Sequence, residues 1–304
     1  QRNVWSVAWS GDGQLASGSS DESVILWDMV SGAPLQRLEG HDEDVNSVAW
    51  SGDGQLASGS SDGNVILWDM VSGAPLQRLD GHQRDVWSVA WSSDGQLASG
   101  SSDGSVVGWD MVSGVPLQRL ERHGESVYSV VWSNDGQRLA SASSDGSVII
   151  WDLASGAPLQ RLEGHQGDVV SVAWSDDGQL ASGSSDGSVI VWDLANGAPL
   201  QRLEGHDDGV WSVAWSSDGR LASASLDGSV IVWDLASGVP LQRLVGHFDQ
   251  VNSVAWSADG QLASGGGDAV VRIVPAKYLK PACQWIKRNL TPTEWARHVG
   301  LYIY

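Results

Sequence analysis

The sequence predicts an all-β protein: a β-propeller, a ring of four-stranded antiparallel blades, followed by a short helical hairpin. Three observations carry that prediction. A histidine recurs at His41, His82, His123, His165, His206 and His247, at intervals of 41, 41, 42, 41 and 41 residues. The pair Trp-Asp recurs at the same spacing, beginning at Trp27, Trp68, Trp109, Trp151, Trp192 and Trp233. Between these markers each copy holds four short β-rich runs separated by Gly/Asp turns, the pattern of a meander rather than of helices.

The elements follow in order within one copy. VNSVAWS at 45–51 is the first strand and ends at the turn GDG. QLASGSS at 55–61 is the second and ends at Asp62-Gly63. NVILWD at 64–69 is the third, and the Ser/Gly/Pro loop that follows leads into PLQRL, the fourth. One such sheet cannot bury both of its faces, whereas several arranged radially can. SVAWS or SVVWS occurs seven times. We place the propeller at 1–275 and the helical tail at 276–304.

Composition narrows the function. The chain has 304 residues with 18 Trp against one Phe and four Tyr, a bias that duplication produces. Cys283 is the single cysteine, so an intrachain disulfide and a cysteine metal cluster are excluded, and a reducing, cytoplasmic location is expected. There is no run of 18 apolar residues to span a membrane, and no signal peptide is read at the start. The net charge is −20, yet residues 275–304 hold five basic residues and one acid. The body is therefore strongly acidic and repels phosphate backbones, so nucleic acid is not an expected partner.

GH, then DG, then WD at this period resembles the WD-repeat propeller family, over residues 1–274. The resemblance implies seven blades and a non-enzymatic scaffold or sensor that binds a protein or peptide. Six copies carry one residue between the turn Gly and the next Leu. Only DGQRLAS at 135–141 has the family's more usual two, which leaves the first hairpin of the other six blades open.

Five complete copies carry His, Ser, Asp and Trp in fixed order: His41/Ser58/Asp62/Trp68, His82/Ser99/Asp103/Trp109, His123/Ser141/Asp145/Trp151, His165/Ser182/Asp186/Trp192 and His206/Ser223/Asp227/Trp233. Ser, His and Asp are also the parts of a nucleophilic triad. A structural network on the rim that carries His and Asp is the stronger reading, because an active site is expected once and not five times. In the resembled family this tetrad ties each blade together. The first copy lacks the His, and the seventh has Val274 and Pro275 in place of Trp-Asp. Histidines spread around a ring do not converge on a metal, and no cofactor motif is present.

The copies differ at few positions. The residue after the first Val reads Trp5, Asn46, Trp87, Tyr128, Val170, Trp211 and Asn252. Two residues before it stand Asp44, Asp85 and Asp168, with Asn3, Ser126, Gly209 and Gln250 in the other copies. These positions are expected on the rim that carries His and Asp, around the mouth of the central channel. Aromatic residues there suit a binding surface for a protein or peptide. A carbohydrate-binding propeller is the alternative, since Trp and Tyr stack on sugars. A recently amplified or engineered repeat protein with no specific partner is another. The opposite rim, with its near-identical SGDG and MVSGAP loops, reads as turn chemistry alone.

In the tail, Ala282, Ile286 and Leu290 form a helical stripe. Thr291, Pro292 and Glu294 form a capping-box signature. RNLTPTEW resembles the closing segment of bacterial WD-repeat proteins, some of which carry a signalling ATPase module. Six fourth strands are visible against seven sets of the first three, so the last blade is expected to have three strands. Its open edge would be covered by the tail or by self-association with a second molecule.

Overall fold

The computed structural model describes residues 3–275 except 30 and 154, together with 278–279 and 302–303. Blade 1 is the meander β1 (Val4–Trp9), β2 (Leu15–Ser19), β3 (Ser23–Trp27) and β4 (Pro34–Glu39). The same order recurs in β5–β8 (45–80), β9–β12 (86–121), β13–β16 (127–163), β17–β20 (169–204) and β21–β24 (210–245). Blade 7 has three strands of its own, β25 (Val251–Trp256), β26 (Leu262–Gly266) and β27 (Val271–Val274). Among the described residues, the strand beside β27 is the two-residue β28 (Tyr302–Ile303), paired antiparallel through Val271↔Ile303 and Arg272↔Tyr302. Its outer edge is thus partly covered by this chain's own end. Leu279 is also buried, against the layer between blades 6 and 7. The helical hairpin expected at 281–300 lies outside the described residues.

Each blade is apolar on both faces, so its burial depends on its neighbours. Apolar layers fill the seams between blades 1 and 2, 2 and 3, and onward to 7 and 1, where Val4, Val7 and Leu15 pack with Ala263, Val271 and Ile273. The first strands of successive blades stand side by side around the centre, and β1 meets both Val45–Trp50 and β25. The fourth strands face outward. In blades 1–6 each carries, at or next to its start, a Pro opposite the third-strand Trp. Pro together with the Arg and Glu or Asp of the PLQRL segments blunts the outward edge.

The first hairpins close in both lengths. Ser51 N–H donates to Gln55 O and its hydroxyl oxygen accepts from Gln55 N–H, both at 2.8 Å. In blade 4 the serine reaches one residue further, with Ser133 N to Arg138 O at 2.9 Å and Arg138 N to Ser133 Oγ at 3.0 Å. A single residue after the turn glycine therefore shortens the loop without changing how it is tied. At the second turn, Gly63 adopts φ 81°, the left-handed conformation. Glu22 and Ala269 hold that place in blades 1 and 7 with φ 70° and 60°, where a side chain costs about 1–2 kcal/mol.

A serine in each first strand links one blade to the next. Val48 N–H donates to Ser6 Oγ, and the relation continues around the ring until Val7 N–H donates to Ser253 Oγ. All seven bonds are present, at 3.0–3.3 Å. Replacing Ser253 with Ala should cost about 0.5–1.5 kcal/mol, the usual worth of one such bond. Blades 7 and 1 are not consecutive in the chain, so this change should speed limited proteolysis of blade 1 more than Ser88→Ala does. Equal digestion rates in the two variants would contradict that.

Candidate functional site

The loop before each first strand and the turn after each second strand lie at one end of the blade. This places His and Asp side by side. His41 Nδ1–H donates to Asp62 Oδ2 at 2.8 Å, and its Nε2 stands 2.7 Å from Ser58 Oγ. Trp68 Nε1–H donates to the same Ser58 oxygen at 2.8 Å. The donors fix the direction, since indole can only donate and carboxylate can only accept. The chain therefore runs from Trp through Ser and His to Asp. The sets at His82, His123, His165 and His206 repeat this geometry, with Nδ1–Asp distances of 2.9–3.2 Å. Blade 1 keeps the Trp27–Ser17 bond, and blade 7 keeps His247 with Ser264 and Asp268.

The serines of these sets correct the picture of a tetrad lying on the rim. Ser58, Ser99, Ser141, Ser182 and Ser223 are each 0% exposed. They stand in the middle of the second strands, covered by the blade's own His and Trp, and so below the rim surface. Ser99 accepts from Trp109 and faces His82 at 2.7 Å, and Ser141 accepts from Trp151 and faces His123 at 2.7 Å. Ser182 does the same between Trp192 and His165, and Ser223 between Trp233 and His206. Engaged by an indole on one side and an imidazole on the other, and closed to solvent, none of the five hydroxyls can be reached by a substrate in this fold. The arrangement ties strands together and offers no accessible nucleophile.

An arginine joins this network that the repeat pattern did not single out. Arg37, Arg78, Arg119, Arg161, Arg202 and Arg243 of the fourth strands pair with the turn aspartates of their own blades at 2.8–3.7 Å. In blade 7 Arg272 does so from the third strand, at 2.8 Å. The recurring Arg of PLQRL was the available signal. Burial pushes the turn carboxyls up, but hydrogen bonds from His, serine and backbone N–H groups outweigh it. Asp62, Asp145 and Asp268 are held at about 2. Asp103, Asp186 and Asp227 are held lower still, for the same opposed causes. His123 and His247 are pushed down by burial, which outweighs their aspartate partners.

The variable positions after the first Val lie at the starts of the inner strands, next to the loops that carry His, and divide into two groups. Trp5, Trp87, Tyr128 and Trp211 are half-buried. Trp5 Nε1–H donates across the seam to Asp44 at 3.1 Å. Trp87 and Tyr128 meet edge to face with centroids 5.9 Å apart. The Tyr128 phenol is pushed up by burial and by the Asp168 carboxylate of the next blade. Asp44, Asp85 and Asp168 are partly exposed between these rings. Asn46, Val170 and Asn252 differ from expectation, because all three are buried. Asn46 Nδ2 donates to Val86 O and Asn252 Nδ2 to Val4 O, at 3.1 and 2.9 Å. These amides brace neighbouring blades, and Val170 is too short to reach out of its seam. Among the described residues no group of three or more His, Cys, Asp or Glu is placed to hold a metal. No described helix is long and apolar enough to cross a membrane.

Two outcomes follow. Asp186→Ala removes the acceptor of His165, Gln166 N–H and Ser188, and should destabilise by about 1–3 kcal/mol, read as a lowered melting temperature. Acid should act in two stages. Imidazoles kept neutral lose stability as pH falls below their ordinary 6.5, where the unfolded chain takes up protons first. The depressed carboxyls stabilise above their ordinary 3.8, and that contribution is lost as pH falls towards 2. The melting temperature should thus decline gently below 6.5 and steeply below 3.8; a flat upper stage would contradict neutral His123 and His247.

Comparison with known proteins agrees with the geometry. A family model described as WD domain, G-beta repeat, matches residues 1–28, 32–69, 73–110, 114–152, 156–193, 197–234 and 238–274. A search of curated proteins found no match. The matched segments run out of phase with the blades, each after the first taking the fourth strand of one blade and the first three of the next. With seven matched segments and seven blades, the chain belongs to the WD domain, G-beta repeat family.

Proposed function

We propose that this propeller is a non-enzymatic scaffold or sensor module that binds a protein or peptide on the His/Asp rim. Propellers of this family commonly serve as interaction scaffolds. The observation that carries the proposal is the alternation of half-buried aromatics with carboxylates around the channel mouth. Trp5 with Asp44, and Tyr128 with Asp168, each set an aromatic of one blade beside an acid of the next. Such pairs offer apolar area at low entropic cost together with an orienting charge. The near-identical copies and the RNLTPTEW run support a place among bacterial WD-repeat proteins, with a signalling role in the cytoplasm. Self-association at the edge of blade 7 is a secondary mode of assembly in this reading.

The test is a pull-down from the source cell with the full chain as bait. The joint change of Trp87, Tyr128 and Trp211 to Ala should abolish capture of the partner. Because those rings are half-buried, Asp44, Asp85 and Asp168 changed together to Asn serve as a milder variant, expected to weaken capture at least tenfold. Capture unchanged in the Asn variant, with the fold intact by melting temperature, would overturn the assignment.

A further inference from the structure

Two departures from the repeat fall on one seam. The residue before the third-strand Trp, or before Val274 in blade 7, is Leu26, Leu67, Ile150, Val191, Val232 or Ile273, but blade 3 has Gly108. At other seams this side chain shares a core layer with the residue after Trp-Asp of the next blade: Leu26 with Met70, Leu67 with Met111, Ile150 with Leu194, Val191 with Leu235. At the seam of blades 3 and 4, Leu153 lies directly over Gly108. A Cβ there would lie 3.6 Å from Leu153 Cδ2.

The second departure is the longer first turn of blade 4. Its Gly136 leans on blade 3, where a Cβ would lie 3.3 Å from Asp94 Oδ1. The corresponding Gly54, Gly95, Gly178 and Gly219 have nothing within 4 Å. Between Leu153 and the overhanging turn lies a cleft of about 950 Å³, on the rim opposite His and Asp. The repeat pattern had marked that rim as turn chemistry only.

Its lining has a definite chemistry. Asp94, Asp135 and Asp152 contribute carboxylates against the single guanidinium of Arg138. Leu153 forms an apolar wall, and Leu117 and Leu159 stand at the border, 67% and 54% exposed. Ser92 and Ser133 hydroxyls donate to Asp94 and Asp135, at 2.5 Å each. A net negative cleft edged by exposed leucines is complementary to a cation on an apolar stem. We infer that the seam of blades 3 and 4 is a second binding site, for a peptide segment carrying lysine or arginine beside an aliphatic residue. It lies at the other end of the blades from the proposed rim site and does not rest on that reading.

Selection of a random peptide phage library on the full chain tests this. Two variants restore the repeat. Gly108→Leu introduces the residue of blades 1 and 2 and drives Leu153 toward the cleft, and deletion of Gln137 leaves DGRLAS as at 218–223. The selected peptides should be rich in Lys or Arg next to Leu, Ile or Val. They should bind either variant at least tenfold more weakly, while the Asp44/Asp85/Asp168→Asn rim variant binds them as the parent does. The deletion variant decides the matter if Gly108→Leu does not fold. Equal binding by parent and folded variants, loss of binding only in the rim variant, peptides without basic residues, or no peptide that distinguishes parent from variant would each overturn the inference. Displacement by free spermidine as effective as by the synthetic peptide would reassign the cleft to small amines.

Discussion

Everything in this ring depends on how the inner edge of each blade is satisfied. A first strand pairs with one neighbour only, so half of its backbone groups face the centre with no ladder to join. An unpaired amide in such a place costs as much as a lost hydrogen bond. The serine of the preceding blade supplies the acceptor, from Val48 on Ser6 around to Val7 on Ser253. A blade on its own would leave that amide and two apolar faces exposed. The bond and the apolar layer exist only between blades, so the stability of each blade is largely a property of its seams.

The His/Ser/Asp sets work on the other axis, within a blade. They join the loop before the first strand to the second, third and fourth strands through one directed chain of donors. Every member of that chain has a hydrogen-bond partner, which is what allows an imidazole and a carboxylate to sit so deep. The likeness to a hydrolase triad is a likeness of parts. Each serine is already engaged by tryptophan and closed to solvent, and fivefold repetition reflects a need common to all blades.

Much of this was legible in the sequence because period and alternation report strand order directly. His41, Ser58, Asp62 and Trp68 could be assigned to one network from strand order together with the family resemblance, although neither shows how far below the rim Ser58, Ser99, Ser141, Ser182 and Ser223 sit. The seam contacts could not be read at all. Ser6 and Asn46 alternate along strands as ordinary polar residues do, and only the distance between neighbouring blades shows that one accepts from Val48 and the other donates to Val86. For the same reason Asn46, Val170 and Asn252 were misplaced at the surface. Gly108 was passed over in the sequence, because its meaning requires knowing that it faces Leu153 of the next blade.

Nearly identical seams raise a problem of assembly order. A blade that presents the same serine, valines and alanines as every other could dock on the wrong neighbour at little energetic loss, and such degeneracy slows folding and favours swapped or stalled species. The irregular residues lift it. The mate for Leu153 is the blade with Gly108, whereas Met70 and Met111 meet leucines. Size differences at these few positions distinguish the seams of blades 1–2, 2–3 and 3–4 from one another. A more perfectly repeated version of this protein would keep its contacts and lose that distinction.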